Sequence, residues 1–167
     1  MIYNKKLNII IVADNNSIII RSFYDFEFLT YININDLNHE ETIVDIKCSN
    51  YDFVYVLIYK GDNPQELRGY SLNGICFGKY EERITNFDVT KEGKLLVGLA
   101  EKKMIDVLDP IAFKGVCSRF VFGGDVDCSF YHFYFEEPNI IFIGFRDKEG
   151  TKIKIIQLSR DEIKNFI

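Results

Sequence analysis

The 167-residue sequence contains no tryptophan, three prolines, two histidines and four cysteines. Each shortage closes off a class of explanation. Cys48, Cys76, Cys117 and Cys128 stand far apart with no C-x-x-C pair, each in or beside an apolar run. There a buried thiol behaves as a small hydrophobe, and a reducing, cytoplasmic setting is expected. No apolar segment approaches the roughly 20 residues that a membrane helix requires, and Met1-Ile2-Tyr3-Asn4-Lys5-Lys6 is not followed by an uninterrupted signal-type core. The protein is therefore expected to be soluble, or peripheral to vesicle membranes only indirectly, through partners. A balance of 20 Lys+Arg against 25 Asp+Glu gives a net charge of −5, and no basic block occurs. General nucleic-acid binding, which needs clustered cations against phosphates, is not expected.

What the chain does have is apolar and aromatic mass: 47% hydrophobic residues, with 15 Phe and 10 Tyr. That is enough for a sizeable core, and the aromatics favour sheets. Period-two alternation recurs almost throughout. In the run from Phe26 to Asn35 it places Phe26, Phe28, Ile32 and Ile34 on one face, with the other more polar. Turn chemistry interrupts the runs at Ala13-Asp14-Asn15-Asn16, Gly61-Asp62-Asn63-Pro64, Leu72-Asn73-Gly74, Lys91-Glu92-Gly93, Glu137-Pro138-Asn139 and Asp147-Lys148-Glu149-Gly150. Short strands joined by hairpins predict an antiparallel all-β fold.

A cryptic repeat organises these strands. Ile20, Leu67, Ile105 and Ile153 open runs of similar design, 47, 38 and 48 residues apart, near the ~40–45 residues of a WD-type propeller blade. The strands fall into four units at about 7–34, 43–80, 84–120 and 128–158, read as three to four blades of one partial β-propeller domain spanning 1–167. In this phase the first unit lacks its leading strand and the last lacks its outer one. The chain is thus expected to be a segment of a longer propeller or to receive the remaining blades from a partner, and open edges invite self-association. Ser159-x-x-Glu162 has the capping-box pattern, which predicts a short terminal helix over 160–167.

The stretch Leu67-Arg68-Gly69-Tyr70-Ser71-Leu72-Asn73-Gly74, followed by Ile84-Thr85-Asn86-Phe87 and Gly93-Lys94-Leu95-Leu96-Val97-Gly98, resembles the carboxy-terminal WD-repeat propeller of BEACH-domain proteins over about residues 66–110. The resemblance implies a scaffold in vesicle and lysosome-related membrane traffic. The WD dipeptide itself is absent, its places held by Phe23-Tyr24, Tyr70-Ser71, Leu108-Asp109 and Ile156-Gln157.

Catalytic chemistry is poorly represented. Cys128 and His132, preceded by Asp125 and Asp127, suggest a metal cluster, but four residues of strand separate the pair by about 13 Å, too far for one ion. His39 lies in a polar connection. Glu81-Glu82 and Glu136-Glu137 are adjacent acids at strand ends, whereas glycoside hydrolysis needs carboxylates facing across a substrate. Gly123-Gly124 lacks a following Lys-Ser/Thr, and no G-x-S-x-G, H-E-x-x-H or propeller-sialidase motif occurs. No catalytic residue, metal or cofactor is therefore assigned. The expected function is a non-catalytic protein–protein interaction scaffold, with charged hairpin tips at Glu101, Lys102, Lys103, Arg146 and Lys148 as the protein-binding residues. A small β-barrel binding an apolar ligand is the alternative, and a propeller enzyme the third reading.

Overall fold

The computed structural model describes the chain apart from residues 15, 35–36, 38–39, 50–51, 62–64, 91–92, 100, 103, 114–115, 122–130, 137–139, 148–149 and 158–167, with side chains described up to Phe113. The described residues form fifteen strands and no helix. Every pairing is antiparallel. The antiparallel all-β expectation holds. The terminal helix expected over 160–167 lies outside the described residues.

The strands make four separate meanders. Sheet 1 holds β1 (Ile2–Asn4), β2 (Ile9–Asp14), β3 (Ser17–Ser22) and β4 (Phe28–Asn33). Sheet 2 holds β5 (Thr42–Cys48), β6 (Phe53–Tyr59), β7 (Gln65–Ser71) and β8 (Cys76–Glu82). Sheet 3 is β9 (Ile84–Val89), β10 (Leu95–Leu99), β11 (Met104–Leu108) and β12 (Val116–Val121), and sheet 4 is β13 (Tyr131–Glu136), β14 (Ile140–Asp147) and β15 (Gly150–Gln157). The chain divides into two compact units, Met1–Glu82 and Arg83–Ile167.

In the first unit, sheets 1 and 2 pack through Ile9, Ile11, Ile18, Ile20, Ile32 and Ile34 on one side and Ile46, Val54, Val56, Ile58 and Tyr70 on the other. These positions lie two apart along each strand, so each sheet gives one continuous aliphatic face to the shared core. Asn4 ties the two sheets together. Its Nδ2 donates to Ser49 O and Cys48 Sγ, each at 3.0 Å, while its Oδ1 accepts from the backbone N–H of Lys6 and Leu7. In the second unit β10 is buried along its whole length, as are Ile105, Asp106, Val107 and Leu108 of β11.

Three expectations are corrected. β1 supplies the leading strand expected to be missing from the first unit, pairing Ile2, Tyr3 and Asn4 with Ile11, Ile10 and Ile9. Phe28 does not share a face with Ile32: the β3–β4 register shifts between Ile20 and Arg21, and the extra residue turns Phe28 outward beside Arg21 while Ile32 stays in the core. Cys76 is exposed on the edge strand β8 instead of serving as a buried hydrophobe; Cys48 is half-buried.

One turn recurs. At Ser71 the backbone N–H donates to Ile75 O at 3.0 Å, Gly74 N–H donates to Ser71 O at 2.9 Å, and Ile75 N–H reaches Ser71 Oγ at 3.1 Å. Thr90, Gly93 and Lys94 repeat all three bonds. Ser49 and Phe53 repeat the outer two, with Asp52 at φ 65° where the others place Gly74 at 89° and Gly93 at 88°. The hydroxyl at the first position satisfies a strand-end N–H, and the left-handed residue returns the chain for pairing.

Candidate interaction site on sheet 1

The β3–β4 connection projects aromatic side chains into solvent. Phe23, Tyr24 and Phe26 are all exposed, Tyr24 to 76%. Phe26 has φ 57°, a conformation that costs a bulky residue strain energy. The surroundings hold it there. Arg21 Nη1 donates to Phe26 O at 2.9 Å, Ser22 N–H donates to Glu27 O at 2.9 Å, and Phe23 N–H donates to Asn8 O at 2.8 Å. The Asp25 carboxylate accepts from Glu27 N–H at 3.0 Å; the Ser22 hydroxyl, then that N–H, hold its pKa below the usual carboxylate value.

The aromatic surface continues onto the face of sheet 1 turned away from the core. Register places Tyr3, Ile10, Arg21 and Phe28 in one cross-strand row, and Val12, Ile19 and Tyr31 in another. Tyr3 stacks at 4.3 Å on Phe23, and Phe28 lies 6.3 Å from Tyr31. Ile10, Val12 and Ile19 are half-buried, while Tyr3, Phe28 and Tyr31 are exposed. Sheet 1 is therefore apolar on both faces, the composition of strands that are covered on both sides. An exposed apolar patch of this kind makes the face a candidate for interaction.

The outer edge of β4 is open as well. Ile34 N–H donates to Asn16 O at 2.9 Å, which sets the phase of the ladder. Ile32 and Thr30 consequently exchange bonds with Ile18 and Ile20, and Tyr31 and Asn33 turn their N–H and C=O groups outward. Among the described residues no strand pairs with that edge.

The charged tips expected to bind protein are placed only in part. Glu101 and Lys102 stand exposed in the β10–β11 turn, with Arg83 Nη1 donating to Glu101 Oε1 at 2.5 Å. Both partners of that pair are more than half exposed, so it contributes little stability. Lys103 and Lys148 lie outside the described residues, and Arg146 is placed in β14 by its backbone alone. His132 belongs to β13, opposite Gly144, whereas Cys128, Asp125, Asp127 and His39 lie outside the described residues. No cluster able to hold a metal occurs among the described residues, and no helix among them is long and apolar enough to cross a membrane.

Sequence reasoning passed over the sheet 1 surface. Its signal was Phe23-Tyr24-x-Phe26, three aromatics inside a turn flanked by Asp25 and Glu27, where polar residues are the rule.

No family model matches the sequence, and no curated protein matches it. Among solved structures, the chain is similar to a protein of unknown function from Bacteroides caccae, with a TM-score of 0.53 and 13% identity. The match covers 91% of this chain and 58% of that one, so the present chain spans little more than half of its relative's length. The crystal structure of Kluyvelomyces marxianus Hsv2 matches at a TM-score of 0.46 and 10% identity, over 92% of this chain and 71% of that chain.

Proposed function

We infer that the chain is part of a β-propeller whose blades are the four meanders, and that it acts as a non-catalytic protein-binding scaffold. One observation carries the reading: β4 combines an unpaired backbone edge with exposed Leu29 and Tyr31 beside a turn holding Phe23, Tyr24 and Phe26 in solvent. An extended segment of a partner protein adds to this edge as a fifth strand. Its backbone pairs with Tyr31 and Asn33, and its alternate side chains settle against the aromatics. The tips at Glu101 and Lys102 add charge selectivity. The resemblance to BEACH-type propellers supports a setting in membrane traffic. Among the described residues the meanders are separate and none closes on itself, which favours this reading over a barrel that encloses an apolar ligand.

Selection of displayed peptides on the purified chain tests the strand-addition step. Extended peptides with alternating apolar residues are the expected yield. Their binding is lost in Asn33→Pro, which removes an outward N–H while proline remains tolerated on an edge strand. Recovery of no such peptide, or equal binding by the proline variant, would refute it.

A further inference from the structure

The outward face of sheet 1 shares Tyr31 and the β3–β4 turn with the β4 edge, but it presents side chains where the edge presents backbone, and its chemistry is self-complementary. We propose that this face is covered by the same face of a second copy of the chain, around a two-fold axis parallel to the strands.

The sheet order β1-β2-β3-β4 fixes what such an axis brings together. Rotation about a line between β2 and β3 lays β1 of one copy over β4 of the other and β2 over β3. Tyr3 then faces Phe28, and Val12 faces Ile19. β1 ends at Asn4 and β2 begins at Ile9, so the β1–β2 and β3–β4 turns lie at one end of the sheet. The first turn carries exposed Lys5 and Lys6; the second carries exposed Asp25 and Glu27. The rotation keeps like ends together while exchanging the two sides, which sets Lys5 and Lys6 of each copy against Asp25 and Glu27 of the other. An axis perpendicular to the strands would instead carry Asp25 and Glu27 over the end that holds Ser17 and Asn33, where no cation answers them among the described residues.

An isologous contact of this kind needs one patch that is its own complement. The apolar rows provide the centre, and the two oppositely charged turns provide the rim and the register. Arg21 is the one cation inside the rows. Its guanidinium is already engaged by Phe26 O, and the register sets Arg21 directly opposite Ile10 in the row.

Sedimentation velocity of the intact chain across a roughly hundredfold concentration range tests the pairing. A reversible monomer–dimer equilibrium is expected. Lys5→Glu should weaken it about tenfold or more by setting like charges together, and combining Lys5→Glu with Asp25→Lys should restore it. Ile19→Lys, with the sheet signal in circular dichroism checked, should abolish it. A chain that stays monomeric throughout, or a dimer indifferent to both Lys5→Glu and Ile19→Lys, overturns the proposal. Asn33→Pro separates the two readings, because it removes strand addition at the edge and leaves the face dimer intact.

Discussion

Arg68 Nε donates to Glu66 Oε1 at 2.5 Å on β7, and both side chains are buried, with relative exposures of 4% and 2%. The residues stand two apart, on the face that carries Tyr70 into the core of the first unit. Lys60 Nζ reaches Glu66 Oε2 at 2.8 Å, and Lys79 Nζ lies 3.4 Å from Oε1. One buried carboxylate therefore holds three cations. Burial alone pushes the Glu66 carboxyl up, but the hydrogen bonds from Arg68 and Lys60 and the charges of Arg68 and Lys79 outweigh it and hold the pKa at about 2.

Removing that carboxylate takes away the acceptor of the Arg68 Nε–H. Glu66→Ala should cost about 3–5 kcal/mol, because it leaves Arg68 buried without its counter-charge. Glu66→Leu combined with Arg68→Met should recover most of that loss, since an apolar pair of similar volume avoids desolvating either charge. Urea unfolding midpoints of the three proteins check both expectations.

The same group fixes a pH dependence. Because the folded pKa lies below the ordinary 4.5, Glu66 contributes stability that is complete above pH 4.5 and is lost as pH falls toward about 2. The gap in stability between the wild type and Glu66→Ala should therefore narrow across that interval. A gap unchanged from pH 5 to pH 2.5 would show that Glu66 is not held ionised by its cations.

Strand alternation made the all-β antiparallel class legible, because hydrophobic faces of period two recur from Ile9 onward. Three features escaped it for physical reasons. β1 has three residues, too few to alternate. The additional residue in β4 changes the phase of Phe28 without altering composition. The burial of Glu66 and Arg68 is not visible in alternation, since the sequence does not show that Lys60 and Lys79 from neighbouring segments reach the same carboxylate. The exposed aromatic surface was hidden in the same way: charged tips are visible as sequence, whereas the joining of Tyr3 to Phe23 depends on the pairing of β1 with β2.

The two cysteines with described side chains should differ in reactivity. Cys76 is exposed, whereas burial raises the Cys48 thiol pKa more than the hydrogen bond from Asn4 lowers it. Attack on an alkylating reagent requires the thiolate, so Cys48 should react at least about tenfold more slowly than Cys76 at neutral pH. Pulse alkylation followed by peptide mass spectrometry reads the two sites separately. Equal rates would show that the Asn4–Cys48 contact opens freely in solution.

The recurring Ser/Thr turn gives a matched pair of tests. At Gly74 a new Cβ would meet only the Ile32 side chain, at 3.9 Å, an ordinary contact. The cost of Gly74→Ala therefore lies in the backbone, and a side chain at φ 89° should lose about 1–2 kcal/mol. Asp52 occupies the corresponding place of its own turn at φ 65°, without glycine's freedom. Asp52→Gly should gain up to about 1 kcal/mol, offset in part by the greater entropy of glycine in the unfolded chain. Thermal or urea unfolding of the two variants should move in opposite directions. Movement in the same direction would mean that the Asp52 side chain, and not the left-handed backbone shared by the two turns, governs the β5–β6 connection.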